Sequence, residues 1–147
     1  MDVDDSKELR ALVSELQRIC ARLPAAEQYV MVHHPAFRVG KKPFVVAGIE
    51  RAKKGATFSV NLGREVQPQL LDDARFTRTP YIGQHGWVTS THGQVPAAEL
   101  RALVIESWKR VANGKQLAAF AAEREAQQPA AKKKATKKVT RSATKRR

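Results

Sequence analysis

The chain has a single cysteine, Cys20. One thiol cannot build an internal disulfide framework, so a reducing compartment is expected. Cys20 falls on an apolar helical stripe, where a thiol behaves as a small hydrophobe rather than a nucleophile. Long apolar runs are also missing: none approaches the ~20 residues of a membrane span. The first five residues, Met1 to Asp5, are acidic and have no apolar stretch, so no signal peptide is expected. A soluble protein of the cytoplasm, nucleoid included, is the expectation. Catalytic signatures are absent too. There is no GxSxG elbow, no HExxH and no CxxC. The Gly83-Gln84-His85-Gly86 run lacks the GxxxxGK[ST] spacing of a phosphate loop. No enzyme activity, cofactor or metal site is expected.

Acidic residues are missing from the C-terminal end. Residues 130–147 hold nine basic side chains and no acid: Lys132, Lys133, Lys134, Lys137, Lys138, Arg141, Lys145, Arg146 and Arg147. The remainder carries 18 basic and 14 acidic residues, so the tail supplies nine of the thirteen net positive charges. It has no aromatic residue and only Val139 as a larger aliphatic, so it cannot bury a core and should be disordered alone. Its lysine/alanine pattern resembles the tails of linker histones and bacterial histone-like proteins. Such a tail neutralises phosphates by releasing counterions and carries little sequence information. A polyanionic partner is the expectation, DNA before RNA, with a merely solubilising tail as the bland alternative.

What remains is enough for one domain. The chain has 147 residues and is 42% hydrophobic, which suffices for a core in a body of this size. Leu9, Leu12, Val13, Leu16, Ile19, Cys20 and Leu23 recur at i, i+3, i+4, i+7 spacing and predict a helix over 6–23, ended by Pro24. Short runs at 28–33, 36–39, 44–50 and 57–62 read as strands, divided at Pro35, at Gly40–Pro43 and at Ala52–Gly55. Phe58, Val60 and Leu62 alternate with Ser59 and Asn61, as in a half-buried strand. A short helix is expected over 65–73, a loop over 76–86, a strand over 87–91, a turn over 91–95, and a helix over 96–112 with Asn113-Gly114 as its cap. Residues 115–127 read as one more helix. Long crossovers between successive strands are lacking, so an α+β fold with a mainly antiparallel sheet follows.

Two motifs narrow the fold. The first is His33-His34-Pro35-Ala36-Phe37-Arg38-Val39-Gly40-Lys41-Lys42-Pro43-Phe44; the second is Thr79-Pro80-Tyr81-Ile82-Gly83-Gln84-His85-Gly86-Trp87-Val88. In this order, followed by a C-terminal amphipathic helix, they make the chain resemble the MmcQ/YjbR family over roughly residues 6 to 121. The resemblance implies an antiparallel sheet flanked by terminal helices, with two β-hairpin projections compared to a double wing and linked to DNA binding. It implies no reaction. The domain then spans 6–127 and the Lys/Arg-rich tail 129–147.

Two groups of side chains stand out inside the domain. Arg38, Lys41, Lys42, Lys53, Lys54 and Arg78 lie at turns and strand ends, alongside Arg51, Arg64 and Arg75. Lysine pairs on consecutive hairpin tips could straddle a phosphate backbone; equally, lysines at turns can simply solvate them. In a family-like fold, His34 and Arg38 would approach Tyr81, His85 and Trp87 in a polar cluster holding two turns. Trp87 and Trp108 read as core, and His92 as a solvated turn residue. The expected function is electrostatic, weakly sequence-specific nucleic-acid binding by a monomer. A protein-interaction module is the alternative of a different class.

Overall fold

The computed structural model describes residues 3–49 and 55–127. Lys53, Lys54 and the whole basic tail lie outside the described residues. The chain opens with α1 (Val3–Cys20) and runs through four hairpin-linked strands: β1 (Ala26–Met31), β2 (His34–Val39), β3 (Lys42–Ile49) and β4 (Ala56–Asn61). A short helix α2 (Gln67–Leu71) leads to β5 (Thr77–Arg78) and β6 (Trp87–Thr91), and then to α3 (Ala97–Val111) and α4 (Gly114–Gln127). Single 3₁₀ turns occupy Gly83–His85 and His92–Gln94. All pairings are antiparallel in the order β1-β2-β3-β4-β6-β5, so the fold is α+β with a six-stranded antiparallel sheet. Compact contacts separate Met1–Asn113 from a second unit that begins at Gly114 and contains α4.

Register partners share a face, which sorts the side chains of the sheet. Val45, Val60 and Val88 fall on one face with Ala47 and Phe58, all buried. There α1 and α3 pack against β3 and β4. Leu12 and Leu16 of α1, and Leu100, Val104 and Trp108 of α3, fill the layer with no accessible surface. The Trp108 indole N–H donates to the carbonyl of Pro24 at 3.1 Å, so its burial leaves no orphan donor. Truncating such a residue costs about 3–5 kcal/mol.

Several boundaries differ from the sequence reading for local reasons. Pro35 does not break the first hairpin. It sits in β2 opposite Val30, near the strand's start, and the turn is Val32-His33 instead. Both turn residues have positive φ, 46° and 71°, so this is a two-residue loop of the twist that suits hairpins. β5 has only two residues, too few to show a period in the sequence. Asn113-Gly114 does not cap α3; Ala112 does, in an extended conformation, and Gly114 begins α4. His92 is not merely solvated: its Nε2 lies 2.7 Å from Glu15 Oε1, tying the turn after β6 to α1. Arg75, counted among the basic turn residues, is neutralised. Its guanidinium reaches Asp73 at 2.7 Å and Glu99 at 2.8 Å, fastening the loop before β5 to α3.

Candidate functional site

The face of the sheet turned away from α1 and α3 carries small and hydroxylated side chains. Val46, Ser59 and Thr89 share one row; Gly48, Thr57 and Thr91 share the next. Over this floor lies a groove of about 510 Å³. One wall comes from the first hairpin, through Met31, Val32 and His34; the other comes from Thr79 to Ile82. No Asp, Glu, Lys or Arg lines it among the described residues.

Three hydroxyls are linked across the floor. Thr89 Oγ1 lies 2.8 Å from Ser59 Oγ and 2.9 Å from Thr79 Oγ1. Each hydroxyl carries one proton and two lone pairs, so two bonds among three groups leave one proton uncommitted. Thr57 Oγ1 is separately satisfied by the carbonyl of Gly48 at 3.3 Å. Gly48 also gives His34 its place. A Cβ at position 48 would come within 2.9 Å of His34 Nδ1, so only glycine lets the imidazole lie this close over β3.

The second wall is shaped by backbone strain. The N–H of Ile82 donates to the carbonyl of Pro80 at 2.8 Å, and Tyr81 between them has φ 70°. That is a γ-turn of the rare, strained hand. It holds Tyr81 94% exposed at the groove mouth. Gln67 of α2 fixes this loop: its Nε2 donates to the carbonyls of Gly83 at 2.8 Å and Trp87 at 3.0 Å.

The expected polar cluster is therefore only partly assembled. His34 and Tyr81 share the groove, while Arg38, His85 and Trp87 do not line it. Arg38 lies over the Tyr29 ring at 4.3 Å and pairs with Glu27 at 3.1 Å. Burial pushes the Tyr29 phenol up, and the charge of Arg38 partly counters this. His85 is exposed in the 3₁₀ turn. Trp87 is buried, but its register with Asn61 places it on the face opposite α1 and α3, so it does not anchor β6 against those helices. Among the described residues no group of His, Cys, Asp or Glu is arranged to hold a metal ion, and no helix is long and apolar enough to cross a membrane.

Of the cationic candidates, Lys53, Lys54 and those of the tail lie outside the described residues. Lys41 and Lys42 are exposed at the β2–β3 tip, where Gly40 takes φ 61°. Arg78 is exposed on β5, and its aliphatic stem lies against Gly83, where any Cβ would collide with it.

Sequence reading missed Thr57, Ser59, Thr79, Thr89 and Gln67. The hydroxyls had a signal: threonine or serine at alternate positions in 57–59, 77–79 and 89–91. Gln67 had none, because its partners are backbone carbonyls 16 and 20 residues away.

The architecture is that of a small α+β domain built on one antiparallel sheet. A solved structure with this fold is the Deinococcus radiodurans protein DR2400, carrying a DUF419 domain. It superposes with a TM-score of 0.58 over 74% of this chain and 87% of that one, at 20% sequence identity. The YjbR family model matches residues 21–110, more than half of the chain, and the protein belongs to the YjbR family. No curated protein matches it.

Proposed function

We propose that the protein binds nucleic acid, DNA before RNA, by charge rather than by base sequence. The observation that carries this reading is the run of nine cations without a single acid in residues 130–147. Within the domain, Lys41 and Lys42 support a secondary contact, since both are exposed and neither has an acidic partner among the described residues. Arg78 is a further candidate on β5. Arg38 is a weaker one, because Glu27 already offsets its charge.

The test is a salt titration of duplex binding, comparing the full chain with one ending at Gln128. If about six tail charges engage phosphate, log affinity falls against log salt with a slope of about −5. Truncation should remove most of that slope. Residual binding that Lys41→Ala/Lys42→Ala abolishes would place a second contact at the β2–β3 tip. A flat salt response in the full chain would refute the reading.

A second reading, a protein-interaction module, is favoured by one observation. Val30 and Val32 stand 70% and 78% exposed on the edge strand β1 and its turn, where another strand could add. Under it, the truncated chain would bind no nucleic acid and the tail would be incidental.

A further inference from the structure

We infer that the groove between the first hairpin and Tyr81 receives an unstacked base of single-stranded nucleic acid. This rests on the nucleic-acid reading above and adds a site to it.

Three features of the groove define the ligand. The first is that no Asp, Glu, Lys or Arg lines it among the described residues. Such a lining suits an uncharged, planar group better than a phosphate. The second is Tyr81. An aromatic residue that is 94% exposed gains little from burial where it stands, and its backbone is held at an unfavourable φ of 70°. Strain of this kind persists where the surrounding structure imposes it, and here the Gln67 clamp on Gly83 and Trp87 does so. The result is a ring offered as a stacking surface, the usual means of holding single strands. The third is the floor. Ser59, Thr89 and Thr79 form a hydrogen-bonded row with one uncommitted proton, and His34 stands beside it. Hydroxyl protons rotate, so such a row can meet donors or acceptors on a base edge without choosing one sequence.

A paired base cannot enter, because both its faces are stacked and its edge is occupied. An extended peptide fits less well than a base. The floor strands β3, β4 and β6 are all internal to the sheet, so no backbone groups are left there to add a strand. The volume of about 510 Å³ has room for one base and its sugar, with the chain continuing outward past the rim.

The test uses the full chain and fluorescently labelled oligonucleotides, one single-stranded 12-mer and its duplex. Binding is measured from about 0.05 to 0.5 M salt, a range that strips tail-driven contacts. The duplex should be lost at the high end while the single strand retains measurable affinity. Tyr81→Ala should weaken that residual binding about tenfold, the effect of one stacked base, and Tyr81→Phe should keep it. Tyr81 is exposed, so both variants should fold, and duplex binding at low salt should be unchanged. If wild type and Tyr81→Ala bind the single strand equally at every salt, the groove is not a base site, and tail-driven binding still stands. If a free mononucleotide displaces the strand at equal concentration, the pocket belongs to nucleotides and the strand assignment falls. If the full chain binds neither oligonucleotide at low salt, the nucleic-acid reading itself fails.

Discussion

The hydroxyl of Ser107 donates to the carbonyl of Phe44 at 2.5 Å. The same oxygen accepts the N–H of Asn61 at 3.0 Å. Phe44 and Asn61 would be the next pair of the β3–β4 ladder beyond Val45 and Val60. A bulge lies here: β2 pairs Phe37 with Val45 but Arg38 with Pro43, skipping Phe44. One buried serine of α3 thus replaces a ladder bond where the sheet turns away from itself.

Removing that hydroxyl takes the partner from the buried Phe44 carbonyl and from the half-buried Asn61 N–H. Ser107→Ala should destabilise by about 2 kcal/mol. Ser90 makes the opposite case. It is fully buried on the α1/α3 face, and its Oγ is the one buried side-chain polar atom without a partner among the described residues. Ser90→Ala should be neutral or stabilising by about 1 kcal/mol. Urea unfolding of the two variants checks both; equal losses would contradict the hydrogen-bond assignment.

Burial pushes the Cys20 thiol up to about 12 from its usual 9.0. At neutral pH it carries no thiolate and lies buried at the end of α1. A disulfide exchange reagent at pH 8 should label the folded protein at least about a hundredfold more slowly than the urea-unfolded chain. Rapid labelling of the native state would show that α1 opens.

Acid should weaken the Arg75 cluster. Hydrogen bonds from Arg75 hold the Asp73 carboxyl at about 2, below its ordinary 3.8. A lowered pKa means the folded state binds fewer protons, so the contribution is complete above about pH 4 and disappears as pH falls through about 2. Asp73→Asn removes that titration. The gap in urea midpoint between wild type and variant should narrow from pH 5 to pH 2.5; a constant gap would sink the idea.

The first hairpin stores conformational cost. Val32 is β-branched at φ 46°, and His33 sits at φ 71°. The double substitution Val32→Asn/His33→Gly supplies residue types suited to positive φ and should stabilise by about 1–2 kcal/mol. A thermal scan with an unchanged or lower midpoint would show that the loop is held by contacts, not strained against them.

Much of the fold could be read directly. The i, i+3, i+4 stripes marked α1 and α3 because their apolar partners lie within one chain segment, and alternation at Phe58, Val60 and Leu62 marked β4. What escaped depends on partners distant in sequence. β5 is a strand only because Thr77 and Arg78 meet Thr89 and Val88. The row of hydroxyls on the groove floor exists only because Ser59 and Thr79 both reach Thr89.

The strand order also has a kinetic consequence. From β1 to β4 each strand lies beside its neighbour in sequence, so these pairings close short loops and can zip from their turns in microseconds. The corner sealed by Ser107 spans 63 residues and must wait for α3. On a ribosome, the meander can therefore form early, with its bulged corner open until α3 emerges to latch it.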